Sequence, residues 1–201
     1  MMMNSKSQWC IISDIDDTLV ATSSGRFPKV SAILNTFLRH PKSIDGMPDM
    51  YRNIQQSLKR ARFWYISVSP YKAFPILRSP INLGQYPNGN IVIPSWKQAF
   101  QIHLGRIGSG LKFKILCIEK LHKYYASHKL ICVGDSLRDD PEIYGEVYRR
   151  YPEWVRMIFI RITGKRNSKE RFQQAFSGVP VNKYKTFQDP WELYEYFDSI
   201  L

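Results

Sequence analysis

Asp14 and Asp16 stand two residues apart at the end of a short apolar run, Trp9-Cys10-Ile11-Ile12-Ser13. On an extended strand that spacing points both side chains the same way. Two carboxylates projecting together into a cleft repel each other unless positive charge sits between or beside them. A hard divalent cation such as Mg²⁺ meets that need, because it prefers oxygen ligands and commonly takes one or two carboxylates with phosphate and water. Asp135, after the run Leu130-Ile131-Cys132-Val133-Gly134, would complete such a metal site. Taken singly, Asp-Thr and Gly-Asp-Ser at strand ends are ordinary turn and cap chemistry. Taken together, Asp14-x-Asp16-x-Thr18, a strand ending in Ser67, Lys114, and Gly134-Asp135 with Asp139 and Asp140 form an ordered set.

These residues must be positioned by something, and the pattern around them says what. Four apolar or β-branched runs end in turns: 9–13, 62–66, 130–133 and 155–160. Short continuous runs of this kind are what buried parallel strands look like. Helical patterns lie between them over 30–38, 50–58, 113–125 and 141–151, the third with Ile115, Leu116, Ile118 and Leu121 near helical spacing. A last helix is expected over 190–201, with Asp189 as N-cap and Pro190 at its first position. Strands alternating with helices predict an α/β fold, an open, doubly wound parallel sheet in one domain over residues 1–201. In such sheets ligands bind beyond the carboxyl ends of the strands, and every motif above lies there. Residues 75–110, with Pro75, Pro80, Pro87, Pro94 and several glycines, break the rhythm and read as a small irregular cap insertion that partly roofs the site. Within it Tyr86 and Trp96 are the aromatics expected to touch substrate, whereas Trp64, Tyr65, Tyr71 and Phe74 read as core.

Composition narrows the class. The chain has 201 residues, 44% hydrophobic and 23% charged, which excludes a disordered or low-complexity protein. Its apolar runs fall far short of the roughly 20 residues that span a bilayer, and its first residues lack the apolar stretch of a signal peptide. Three cysteines close no disulfide framework, so Cys10, Cys117 and Cys132 are expected as buried free thiols of a cytoplasmic, reducing compartment. None of the four histidines has zinc-ligand spacing to a cysteine or another histidine. Lys plus Arg is 29 against 17 for Asp plus Glu, giving +12, densest from Arg149 to Arg171. That field favours nucleic acid, a phospholipid surface or a phosphorylated substrate.

Ser13-Asp14-Ile15-Asp16-Asp17-Thr18, Tyr65-Ile66-Ser67-Val68-Ser69-Pro70, Val133-Gly134-Asp135-Ser136, Asp140-Pro141-Glu142-Ile143-Tyr144 and Ile160-Arg161 together resemble the haloacid dehalogenase-like phosphohydrolase superfamily. Within it they look most like the catalytic domain of the actin-patch-associated phosphatidate phosphatase family, over about residues 9–161. The resemblance implies that Asp14 is the nucleophile, forming an aspartyl-phosphate. Asp16 would protonate the leaving oxygen and then activate water. Mg²⁺ would be held by the Asp14 carboxylate, the Asp16 main-chain carbonyl and Asp135, with Asp140 reaching a metal-bound water. Ser67 would bind a phosphate oxygen, with Ser69 as its rival, and Thr18 would fix the turn and Asp16 through its hydroxyl. Lys114 would set an ammonium beside Asp14, with Lys112 and Lys120 as alternatives; Asp140 is favoured over Asp139. Asp17 is expected to face away and take no part.

Departures from the family pattern bear on substrate. Val68 stands where an asparagine is expected and Leu137 where a glycine is, residues 93–113 lack the usual pattern, and few residues precede the first motif. The leading expectation is a Mg²⁺-dependent phosphomonoesterase for phosphatidate or a similar large anionic ester, in peripheral contact with a membrane. The alternatives are a phosphatase of nucleic-acid ends or nucleotides, and a non-catalytic basic module that binds lipid or protein.

Overall fold

Each of the four apolar runs is a strand in the computed structural model, which describes residues 8–20, 43–69, 85–103, 110–164, 166–194 and 196. They are β1 (Trp9–Asp14), β2 (Arg62–Ile66), β4 (Lys129–Asp135) and β5 (Val155–Arg161), flanked by two shorter strands, β3 (Gly89–Val92) and β6 (Tyr184–Phe187). All pairings are parallel, and the order across the sheet is β3-β2-β1-β4-β5-β6. The order reverses between β1 and β4, which makes their carboxyl ends the natural crevice of the fold.

Alternation along the strands divides the core in two. On β1, Trp9 and Ile11 face one side with Phe63, Tyr65, Ile131, Val133, Met157 and Phe159, against Met47, Met50, Tyr51 and Ile54 of helix α1 (Met47–Ser57). Cys10 and Ile12 face the other side with Leu130, Cys132, Ile158 and Ile160. That face is covered by α3 (Gly110–Tyr125) and α4 (Asp140–Arg150), with α5 (Lys169–Ala175) packed on α4. Burial on both faces is why the central strands read as unbroken apolar runs. Gly145 sets the approach of α5, since a Cβ there would lie 2.0 Å from the Ala175 carbonyl oxygen.

Several expectations shift. The helix expected over 50–58 starts three residues earlier, at Met47, and that over 113–125 starts at Gly110. On α3 the core face is Lys114, Ile115, Ile118 and Leu121; Leu116 is 55% exposed and does not belong to it. The stretch 75–110 is not wholly irregular, because it contains β3, bonded to β2, and α2 (Trp96–His103). Residues 75–84 and 104–109 of that stretch lie outside the described residues, as do the helix expected over 30–38, Tyr71 and Phe74. Tyr86 is core rather than substrate-facing: it is 2% exposed and its hydroxyl donates to the Leu19 carbonyl at 2.6 Å. At the chain's end Asp189 accepts from the Trp191 N–H in a capping box with Glu192, but the turn it starts, Pro190–Leu193, is a 3-10 helix. Residues 195 and 197–201 lie outside the described residues.

Cys10, Cys117 and Cys132 are free; the first two thiols are pushed up to about 12 and about 11 by burial, although Cys117 is only half-buried. Among the described residues no helix is long and apolar enough to cross a membrane.

Candidate active site

Asp14 closes β1 and Asp135 closes β4, neighbouring parallel strands, so the sheet itself brings the two carboxylates to one edge. Asp140 reaches the same place from the first turn of α4. Gly134 makes room for it: a Cβ there would sit 2.5 Å from the Asp140 Oδ2. With no side chain in the way, the Asp135 N–H donates to Asp140 Oδ2 at 3.1 Å. Carboxylate oxygens of Asp14, Asp135 and Asp140 all lie within 4.8 Å of one another, and the three residues are buried.

The counterion comes from α3. That helix runs back along the sheet from the carboxyl ends of the strands, so a side chain near its start leans toward the site, because Cα–Cβ bonds tilt toward the helix N-terminus. Lys114 takes this position, 4% exposed, its Nζ donating to Asp14 Oδ1 at 2.5 Å and to Asp140 Oδ1 at 2.6 Å. Lys112 and Lys120 are exposed on the other face of α3. Of the neighbouring acids, Asp140 faces the cluster, whereas Asp139 is turned outward to Arg166 at 3.3 Å.

The turn after β1 supplies the remaining groups. Thr18 is fully buried, with its hydroxyl 3.3 Å from both Asp14 Oδ2 and Asp135 Oδ2. It bridges those two acids and does not touch Asp16 as expected. The Asp16 carboxylate instead accepts at one oxygen, Oδ2, from Ser67 at 2.5 Å and from Ser69 at 2.8 Å. The Ser69 N–H in turn donates to the Ser67 hydroxyl at 2.9 Å, so both serines belong to the same small network. Asp16 is not in the three-acid group.

Asp17 departs from the expectation that it faces away. The strand ends at Asp14, so two-residue alternation no longer governs Asp17; it adopts φ 57°, is buried, and adds to the negative field on Asp135. Its carbonyl accepts from Arg161 at the end of β5 at 3.1 Å. That link, across 144 residues of chain, left no local signal beyond the Ile160-Arg161 pair itself.

Three buried carboxylates against one ammonium leave negative charge uncompensated. Burial, then Asp140, push the Asp135 carboxyl up to about 7. Asp14 is also raised by burial, with Lys114 opposing and Asp140, Asp135 and Asp16 adding to it. Lys114 is lowered by burial, but Asp14 and Asp140 more than reverse this and hold it charged. An all-oxygen set with excess negative charge fits a hard divalent cation.

Folded carboxyls with raised pKa values keep protons that the unfolded chain releases, so stability present near pH 3.8 is lost as pH rises toward about 7. The metal-free protein is therefore expected to melt at a lower temperature at about pH 8 than at about pH 5, and Mg²⁺ to raise the melt more at the higher pH. Calorimetry of chelator-treated protein checks this; a melt independent of pH and of Mg²⁺ would contradict the charge balance described.

A family model described as phosphatidate phosphatase APP1, catalytic domain, matches residues 9–162. A curated relative, phosphatidate phosphatase APP1 of Saccharomyces cerevisiae, is 31% identical over 153 residues. The match covers 75% of this chain and 25% of that relative, so the chain spans about a quarter of the relative's length. Asp14, Asp16, Thr18, Ser67, Lys114, Asp135 and Asp140 all fall inside the matched segment.

Proposed function

Because the chain belongs to the phosphatidate phosphatase APP1 catalytic-domain family, we propose that it is a Mg²⁺-dependent phosphomonoesterase that removes phosphate from phosphatidate through an aspartyl-phosphate on Asp14. The observation that carries this reading is the convergence of Asp14, Asp135, Asp140 and Lys114 in one buried cluster at the carboxyl ends of β1 and β4.

Each group has a task that its contacts suit. Lys114 holds one oxygen of Asp14, fixing the carboxylate's rotamer and placing an ammonium where phosphoryl oxygens would lie. An Asp14 oxygen attacks phosphorus, the bond to the glycerol oxygen breaks, and a proton from Asp16 neutralises the departing alkoxide. A water then attacks the phosphorus of the acyl phosphate and gives its proton to Asp16, which frees inorganic phosphate and the Asp14 carboxylate. Ser67 and Ser69 orient Asp16 between these two proton transfers. To bind a phosphate oxygen as well, the Ser67 hydroxyl would turn its one proton from Asp16 to the substrate, leaving Ser69 to hold Asp16. Asp14, the Asp16 carbonyl and Asp135, with Asp140 directly or through water, would hold the cation, and Thr18 keeps Asp14 and Asp135 in register. When bound, Mg²⁺ supplies the charge that screens an anionic nucleophile from an anionic ester.

The family and the net charge of +12 support a lipid substrate met at an anionic surface. Phosphate release with and without Mg²⁺ tests the whole reading, using phosphatidate in mixed micelles, glycerol 3-phosphate, and 3′- and 5′-phosphorylated oligonucleotides. Mg²⁺-dependent release from phosphatidate, well above the soluble esters, is expected. Turnover confined to glycerol 3-phosphate or oligonucleotides would discard the lipid and keep the chemistry; no turnover of any of them would discard the enzyme.

A further inference from the structure

Arg171 lies beyond the matched segment, on α5, yet its side chain is only 13% exposed and every N–H of its guanidinium is used. Nε donates to Glu142 Oε1 at 2.6 Å and Nη2 to Glu142 Oε2 at 2.7 Å, a bidentate pair. Nη1 donates to the carbonyls of Ser136 at 2.5 Å and Arg166 at 2.7 Å, and Nη2 also donates to the carbonyl of Arg138. Guanidinium has five N–H donors in a fixed fork, and here all five have acceptors.

Where those acceptors lie gives the contact its meaning. Ser136 and Arg138 belong to the short loop that joins Asp135 to Asp140. The Ser136 carbonyl and the Leu137 N–H are opposite sides of one planar peptide. While Arg171 pulls the carbonyl outward, the N–H donates inward to Asp135 Oδ1 at 2.6 Å. Glu142 is in the first turn of α4, the turn that carries Asp140. One guanidinium therefore grips both ends of the acidic loop from outside the site.

We infer that Arg171 is a positioning residue, which sets the Ser136–Leu137 peptide so that the Asp135 carboxylate is held in register with Asp140 and Asp14. The inference rests on the proposed reading only where it speaks of the cation; the brace itself is a statement about the loop. Partners that orient ligating carboxylates typically alter metal affinity by about 10–100-fold when removed. Gly145 lets α5, and Arg171 with it, seat close against α4, since a Cβ there would lie 2.0 Å from the Ala175 carbonyl oxygen.

Two measurements on the full chain test this, and neither needs substrate. In Arg171→Met the amides of Asp135 and Leu137 are expected to exchange hydrogen about tenfold faster or more, with β1 and β2 unchanged. Mg²⁺ binding by titration calorimetry is expected to weaken by about tenfold. Arg171→Lys keeps the charge but has neither the planar fork nor the five donors, so it should remain at least about threefold weaker than the native chain. It reads the same quantities if the methionine variant does not fold. A folded variant with a lower melting temperature but unchanged exchange at 135 and 137 would overturn the inference, because Arg171 would then only staple α5 to α4. Unchanged Mg²⁺ affinity with faster exchange would overturn its bearing on the cation. If the native chain takes up no Mg²⁺, the phosphatase reading fails and exchange alone decides the brace. Binding that depends on Arg171 without any phosphate release would overturn the phosphatase reading and leave the brace standing.

Discussion

Asp14→Asn is expected to lose at least about a thousandfold in phosphate release while melting at the same temperature as the native protein or higher. The two halves of this expectation have separate causes. An amide cannot act as the nucleophile, so no acyl phosphate forms. An amide can, however, keep every contact that Asp14 makes. Its oxygen accepts from Lys114, which now holds Asp14 Oδ1 at 2.5 Å, and its NH₂ faces the Thr18 hydroxyl, now 3.3 Å from Oδ2. That hydroxyl accepts from the amide and still donates to Asp135. Removing one charge also relieves a cluster in which burial and the neighbouring acids already raise the Asp14 carboxyl. Phosphate release and calorimetry on the same preparation check both halves. Residual turnover within tenfold of native would remove Asp14 from the chemistry, and a collapsed fold would mean that its charge is structural.

The central strands and their acids were readable because burial on both faces leaves a continuous apolar run, and the end of such a run is where a turn residue must appear. The edges were not. On β3, Gly89 and Asn90 are exposed and only Ile91 and Val92 are half-covered, while on β6 only Phe187 is buried. An edge strand needs a partner on one side only, so it has no such run to show. Helical register could have separated the three lysines: Lys114, Ile118 and Leu121 follow i, i+4, i+7 spacing on the buried face, and Lys112 and Lys120 do not. The same register would have put Leu116 outside. The Thr18 hydroxyl, the Asp17 turn and the serine pair on Asp16 depend on how loops from different strands meet, which no local window contains. The basic stretch from Arg149 to Arg171 reads in sequence as a field for anionic partners, yet Arg149 and Arg150 pair with Glu146 and Arg171 with Glu142. Their meaning comes from the partners, not from the density of charge.

Lys114→Met is expected to cost about 3–5 kcal/mol of stability at neutral pH, because it leaves Asp14 and Asp140 buried without the ammonium that now bonds both. Methionine fills much of the same volume, so the loss is electrostatic rather than a cavity. Against a total of about 5–15 kcal/mol for an ordinary domain, such a variant is marginal but measurable by urea unfolding. Two further measurements separate charge from packing. Lowering the pH to about 5 should narrow the gap to native, since carboxyls with raised pKa values take up protons and shed the uncompensated charge. Lys114→Met combined with Asp140→Asn should recover at least about half of the lost stability, the coupling that a double-mutant cycle reads between contacting groups. Neither rescue would occur if the lysine acted only through its methylenes. Activity should not return in the double variant, because it lacks both the ammonium that orients Asp14 and the Asp140 carboxylate that would help hold the cation. Stability restored in the double variant would thus assign Lys114 the role of a counterion that lets three acids share a buried site.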